Sequence, residues 1–331
     1  MDRFYYSTYG PLIEQFITLK KALGYKYNSG AAHLGRFDRF AAEQEAEGPA
    51  ISQELIEQWS VKRSNESDSC RYLRIEVVKQ FSLFLCQLGH RSYVPRLPRF
   101  ISIHTPYIFS KEQIRSLFLA CDALRPAAYH PKSCIFAIPT VLRLMYATGI
   151  RVSEVVSLLY KDVNLEENHI TLRNCKNGRE RIVALSESIA EACRGYLLFR
   201  THYAGLNLNA TERFFMTPGG TPCDEGTIYI WFRKVLYAAG IPHGGKGLGP
   251  RLHDLRHTFS VHSLAAMAEA GLDLYHSLPV LSTYLGHQSL AATDKYVRLT
   301  ADMYPSLIEN ANRICPYMFP ELPNSYSHET Y

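Results

Sequence analysis

Apolar positions in the first part of the chain fall three or four residues apart, the repeat of an amphipathic helix. Leu12, Phe16, Leu19 and Leu23 make one such stripe, and Gly24 follows as a stop. Leu34, Phe37 and Phe40 mark a second helix. Leu55, Ile56 and Trp59 mark a third, with Ser52 placed to cap it. Leu73, Val77, Phe81, Phe84, Leu85 and Leu88 mark a longer fourth, closed by Gly89. Residues 1–92 therefore read as a small helical domain.

The helical repeat then stops. HRSYVPRLPRFISIHTPYIF contains Pro95, Pro98 and Pro106, which oppose a regular helix, so residues 93–108 read as an extended linker. Arg91, Arg96 and Arg99 fall in or beside it with no acid among them. Two readings stand: a solvated connector, or a basic strap along a phosphate backbone.

Residues 109–331 read as a second domain. Ser110-Lys111-Glu112-Gln113 has the form of a capping box. Helical patterns run to about residue 148, and Pro139 is expected to kink or divide one of them. Residues 168–174 and 179–185 predict two short strands, with Lys176-Asn177-Gly178 between them. Asn-Gly is a strong hairpin signal. Helices are predicted again over 187–203 and 225–239, and the glycine-rich PHGGKGLGP leads into another. The fold class is mainly α with one small antiparallel β-sheet.

Composition narrows the picture. The 331 residues suffice for two cores. With 47% hydrophobic and 12% aromatic residues, the chain is expected to fold. A net charge of +5 permits nucleic acid without requiring it. Eight scattered cysteines without a CxxC pair argue against a zinc ribbon or a disulfide scaffold and favour a reduced cytoplasm. No secretory leader and no apolar run of about 18 residues is evident, so no membrane span is expected.

The chemistry lies in a few charged and aromatic positions. Arg151 precedes the apolar pattern Val155-Val156-Leu158-Leu159, near a helix N-terminus that favours an anion. His253 and Arg256, three residues apart, share a helix face. His287 follows a glycine and Tyr296 lies nine residues beyond it. Two arginines suit the charge that gathers on a phosphodiester's non-bridging oxygens during attack. His253 is placed either to hydrogen-bond the phosphate or to accept a proton. Lys176 reads as an ordinary turn lysine, or as the acid that protonates a departing 5′ oxygen. A tyrosine nucleophile would conserve bond energy in a covalent link and so favour rejoining over hydrolysis. His257 reads as structural, because no third ligand is spaced to make a zinc site with it. No clustered carboxylates suggest a metal-dependent nuclease.

YATGIRVSEVVSL followed by KDV, the hairpin lysine before RERIVAL, HDLRHTF, LGHQS and the tyrosine of DKYV together resemble the tyrosine recombinase (phage integrase) family. The resemblance covers residues 109 to 300; the helical domain resembles the family's core-binding domain in size and position. It implies Arg151, Lys176, His253, Arg256 and His287 as the activating set and Tyr296 as nucleophile, with Glu154 supporting the first arginine. It also implies a C-shaped clamp on double-stranded DNA, with Arg91, Arg96 and Arg99 as DNA contacts. Four subunits would act on two DNA sites, with room for an accessory DNA-bending protein and no metal or cofactor. Integration, excision or resolution would be the outcome. The interval between Arg256 and His287 is longer than usual, which suggests an extra turn or loop. Leu307, Ile308, Ala311 and Ile314 give residues 303–314 an apolar face, which packs on its own domain or, as the resemblance implies, on a neighbouring subunit. A type IB topoisomerase and a catalytically silent DNA-binding regulator of the same fold are the alternatives.

Overall fold

The computed structural model describes residues 4–46, 48–99, 105–126, 130–173, 180–206, 208–245, 248–287 and 289–304. The chain divides into two compact units, Met1–His104 and Thr105–Tyr331.

The first unit is built from α1 (Gly10–Ala22), α2 (Asn28–Glu43), α3 (Gln53–Ser60) and α4 (Asp68–Gln87). The buried stripe on α1 differs from the one its leucines suggest. Ile13, Phe16 and Ile17 are buried, whereas Leu19 and Leu23 are exposed. Ile13 and Ile17 each lie about 100° round the helix from Leu12 and Phe16, so the buried face is turned toward the isoleucines and Leu19 and Leu23 fall beyond its edge. On α2 Leu34 and Phe37 are buried, and on α3 Leu55, Ile56 and Trp59. Ser52 caps α3 by accepting the Leu55 N–H at 3.1 Å. On α4 Ile75, Val78, Phe81, Phe84 and Leu85 face inward, while Leu73 and Leu88 point outward. Arg74 is also buried there, its charge met by Glu66 at 2.7 Å and its plane lying over Trp59. Arg91, Arg96 and Arg99 lie in the extended segment after α4.

The second unit opens with α5 (Lys111–Asp122), whose capping box is formed: Ser110 Oγ accepts the Gln113 N–H and Gln113 Oε1 accepts the Ser110 N–H. In α6 (Ile138–Thr148) Pro139 begins the helix instead of kinking it. The first turn has no intrahelical use for an N–H, so the missing donor costs nothing there. After α7 (Val152–Ser157) come β1 (Val163–Asn164), β2 (His169–Leu172) and β3 (Arg181–Ala184), an antiparallel sheet in the order β1-β2-β3. β1 is not legible from the sequence, because two residues are too few to show alternation. Ile170 pairs with Val183 in a register that buries both. The hairpin tip, with Lys176, lies outside the described residues. So does most of the 303–314 segment.

α8 (Glu187–Leu198) and α9 (Glu225–Ala238) follow. α10 (Asp254–Glu269) is the central helix and packs against α6, α11 (Leu274–Leu285) and α12 (Ala291–Met303). The long interval before His287 is thus occupied by a full helix, α11, with Asp273 capping it through the His276 N–H. Leu255, Val261 and Leu264 of α10 are fully buried, each contributing on the order of 1.5–3 kcal/mol. Tyr296 of α12 packs with Val261, Leu264, Leu281 and Leu285, so its ring is also a core residue.

Candidate active site

α6 ends at Gly149 in the left-handed conformation, φ +63°. Only glycine suits this position: a Cβ there would lie 2.5 Å from Phe259 and 2.9 Å from Leu285. The close approach turns the Gly149 carbonyl toward α10, where it accepts Arg256 Nη1 at 2.6 Å. Arg256 Nη2 donates to the Leu285 carbonyl at 2.8 Å, at the end of α11. One guanidinium thus joins two helix C-termini, where the carbonyl dipoles favour a cation. Burial, followed by the charge of Arg151, lowers the Arg256 pKa to about 10, which leaves it cationic at neutral pH.

Arg151 stands at the N-terminus of α7. Its backbone N–H and its Nη1 each donate to Glu154 at 2.9 Å. The same carboxylate receives a two-pronged contact from Arg181 of β3, at 3.0 and 2.8 Å. Burial by itself would raise the Glu154 pKa, but the bonds from Arg181 and from the Arg151 backbone, with both positive charges, bring it down to about 2. Arg181 also lies against the turn before His287: a Cβ on Gly286 would come within 3.0 Å of its Nη1. β3 and the start of α7 therefore meet at one carboxylate, and the end of α11 packs against the arginine that grips it.

Tyr296 is 1% exposed, and its hydroxyl lies 2.8 Å from His257 Nδ1. Burial raises the phenol's pKa, opposed by Arg256, Ser260 and Arg151. His287 stacks on the Tyr296 ring with centroids 6.2 Å apart, and its Nδ1 pairs with Thr293 Oγ1 at 2.8 Å. Lys295 Nζ lies 5.1 Å from the centre of the Tyr296 ring. His253 sits at the N-terminus of α10, its residue open to solvent on one side, with its ring edge-on to His257 at 4.8 Å. Crowding by protein, then Arg256, Arg151 and Lys295, lowers the His253 pKa to about 4. His287 is lowered to about 4 by burial and by Arg256 and Arg151. Both imidazoles are neutral at neutral pH.

Arg151, Glu154, His253, Arg256, His287 and Tyr296 thus converge within the second unit, whereas Arg91, Arg96 and Arg99 belong to the first. Sequence reasoning misses Arg181 and Lys295, and takes His257 as purely structural. Arg181 gives no signal beyond its place in a predicted strand. His257 is visible, but nothing in the spacing ties it to Tyr296. Among the described residues no group of three or more His, Cys, Asp or Glu is gathered to hold a metal.

A buried arginine, a second arginine on a carboxylate, two neutral imidazoles and a tyrosine hydroxyl in a mainly helical unit define a recognisable arrangement. Residues 108–303 match the model of the phage integrase family. The putative integrase/recombinase y4rB of Sinorhizobium fredii is 31% identical over 320 residues, covering 93% of this chain and 96% of that protein. Tyrosine recombinase XerA of Pyrococcus horikoshii is 23% identical over 309 residues, covering 92% and 94%. Among solved structures, the Tn1549 transposon integrase in complex with transposon right end DNA superposes with a TM-score of 0.63 at 15% identity, covering 86% of this chain and 94% of that one. The XerH recombinase bound to palindromic difH substrate gives 0.60 at 19% identity, covering 86% and 78%. The chain belongs to the phage integrase family, the tyrosine recombinases. Its enzyme class is tyrosine-type site-specific recombinase. No helix among the described residues is long and apolar enough to cross a membrane.

Proposed function

We propose that this protein breaks and rejoins double-stranded DNA through a covalent 3′-phosphotyrosyl link at Tyr296. The observation that carries this is the meeting of the Tyr296 hydroxyl, the His257, His253 and His287 rings and the Arg151 and Arg256 guanidiniums in one unit. Arg256 offers five N–H donors; the two helix carbonyls use two of them and the Tyr296 hydroxyl engages another. Others remain for the non-bridging oxygens of a scissile phosphate. Arg151, aligned by Glu154, supplies the second fork. Both stabilise the charge that builds on phosphorus during attack. His253 and His287, neutral and beside these cations, hydrogen-bond the phosphate. Lys176, on the hairpin before β3, protonates the 5′ oxygen as it leaves. The bond energy stays in the phosphotyrosine, and a second 5′ hydroxyl reverses the step.

The biological event is integration, excision or resolution between two DNA sites, carried out by a homotetramer, and an accessory DNA-bending protein fits such an assembly. Arg91, Arg96 and Arg99 contact the DNA backbone. A randomised library of nicked duplexes, from which the cut fragment diffuses away, tests the reading. The wild-type protein is expected to trap a subset as a denaturation-resistant adduct, and Tyr296→Phe to trap none while still retarding DNA in a gel. An undiminished adduct from Tyr296→Phe would refute the assignment.

A further inference from the structure

We propose that His257 is the proton acceptor for the Tyr296 hydroxyl in the cleavage step. The inference rests on the phosphotyrosyl reading above and supplies a group that it leaves open. A phenol attacks phosphorus as its phenolate, so its proton needs a destination. Tyr296 is buried, so a neighbouring protein group is better placed than bulk water to receive that proton. His257 Nδ1 is 2.8 Å away, within range for a direct transfer. Arg256 and Ser260 also bond the hydroxyl, but a guanidinium cation and an aliphatic hydroxyl are too weakly basic to take its proton, and the remaining groups are placed differently. His287 presents its ring to the face of Tyr296, with its Nδ1 on Thr293. Lys295 lies over the same ring. The His253 ring meets that of His257. The position is also firmly held. His257 is buried in the first turns of α10 beside Arg256, and α10 packs directly on α12.

With the ring proton on Nε2, His257 Nδ1 directs a lone pair at the phenolic O–H. The proton passes to Nδ1 while an oxygen lone pair forms the new O–P bond. The bond from phosphorus to the 5′ oxygen breaks with its electron pair on that oxygen, which takes a proton from Lys176. In rejoining, the incoming 5′ hydroxyl returns a proton to Lys176, and the His257 imidazolium returns its own to the departing phenolate.

The test measures single-turnover adduct formation on a nicked duplex of the sequence that the wild-type protein captures from the library. His257→Asn keeps a hydrogen-bonding side chain near the Nδ1 position but accepts no proton near neutral pH. The rate is expected to fall on the order of 10²–10³-fold, with gel retardation of the duplex unchanged. Placing a trifluorinated tyrosine at position 296, which ionises near neutral pH, is expected to return at least about tenfold of that loss, because an ionised phenol needs no base. A variant rate within a few-fold of wild type would overturn the proposal. So would a loss that the fluorinated tyrosine does not repair, which would mark a packing role. Loss of folded protein in both His257→Asn and His257→Gln would overturn it as well. If the wild-type protein captures no duplex at all, the phosphotyrosyl reading itself fails, an outcome distinct from these.

Discussion

One carboxylate, Glu154, holds Arg151 and Arg181 together, and this sets the geometry of the arginine proposed to bind phosphate first. Removing the partner that carries two of those bonds has a definite pH signature. The Glu154 pKa is about 2 in the folded protein, against an ordinary 4.5. Its contribution to stability is therefore fully present above pH 4.5 and is lost as pH falls toward 2. Arg181→Gln weakens that depression. We predict a loss of roughly 2–3 kcal/mol at about pH 7, shrinking to roughly half of that at about pH 3, read from urea denaturation at the two pH values. An equal loss at both would show that Arg181 acts by packing alone. At this scale the sequence is informative about Arg151, His253, Arg256, His287 and Tyr296, because their order along the chain carries the family resemblance. Arg181 and His257 stay hidden for a physical reason. Their partners lie 27 and 39 positions away, and only the fold brings them within bonding distance.

Helix ends, more than helix faces, build the site. Gly149 ends α6, Gly286 ends α11, and Arg256 bonds the carbonyl of Gly149 and that of Leu285, just before Gly286. Gly149→Ala must accommodate a positive φ and a Cβ 2.5 Å from Phe259. We predict a destabilisation of about 3 kcal/mol, seen as a lower urea midpoint with an unchanged slope. A midpoint within experimental scatter of wild type would show that Phe259 yields freely. Most helices are readable from apolar spacing, with errors at particular residues. Leu19 and Leu23 match the repeat but face water, because α1 buries Ile13 and Ile17 instead. Pro139, expected inside a helix, starts one. α11 falls in the interval that reads as an extra turn or loop, because unusual length alone does not say what fills it, and it is a helix despite Pro279 within it.

At the scale of the whole chain, two compact units each enclose their own buried residues, and the reacting groups lie in the second. A net charge of +5 is modest for a DNA partner, so the proposed clamp asks more of placed arginines than of overall charge. The proposed catalysis reduces to one bond, between the Tyr296 oxygen and a DNA 3′ phosphate. The direct measurement is mass spectrometry of the peptide released by protease and nuclease from DNA-treated protein in the presence of a chelator. A nucleotide mass attached at Tyr296 is the predicted result. A nucleotide on any other residue, or DNA cut in chelator with Tyr296 unmodified, would contradict it.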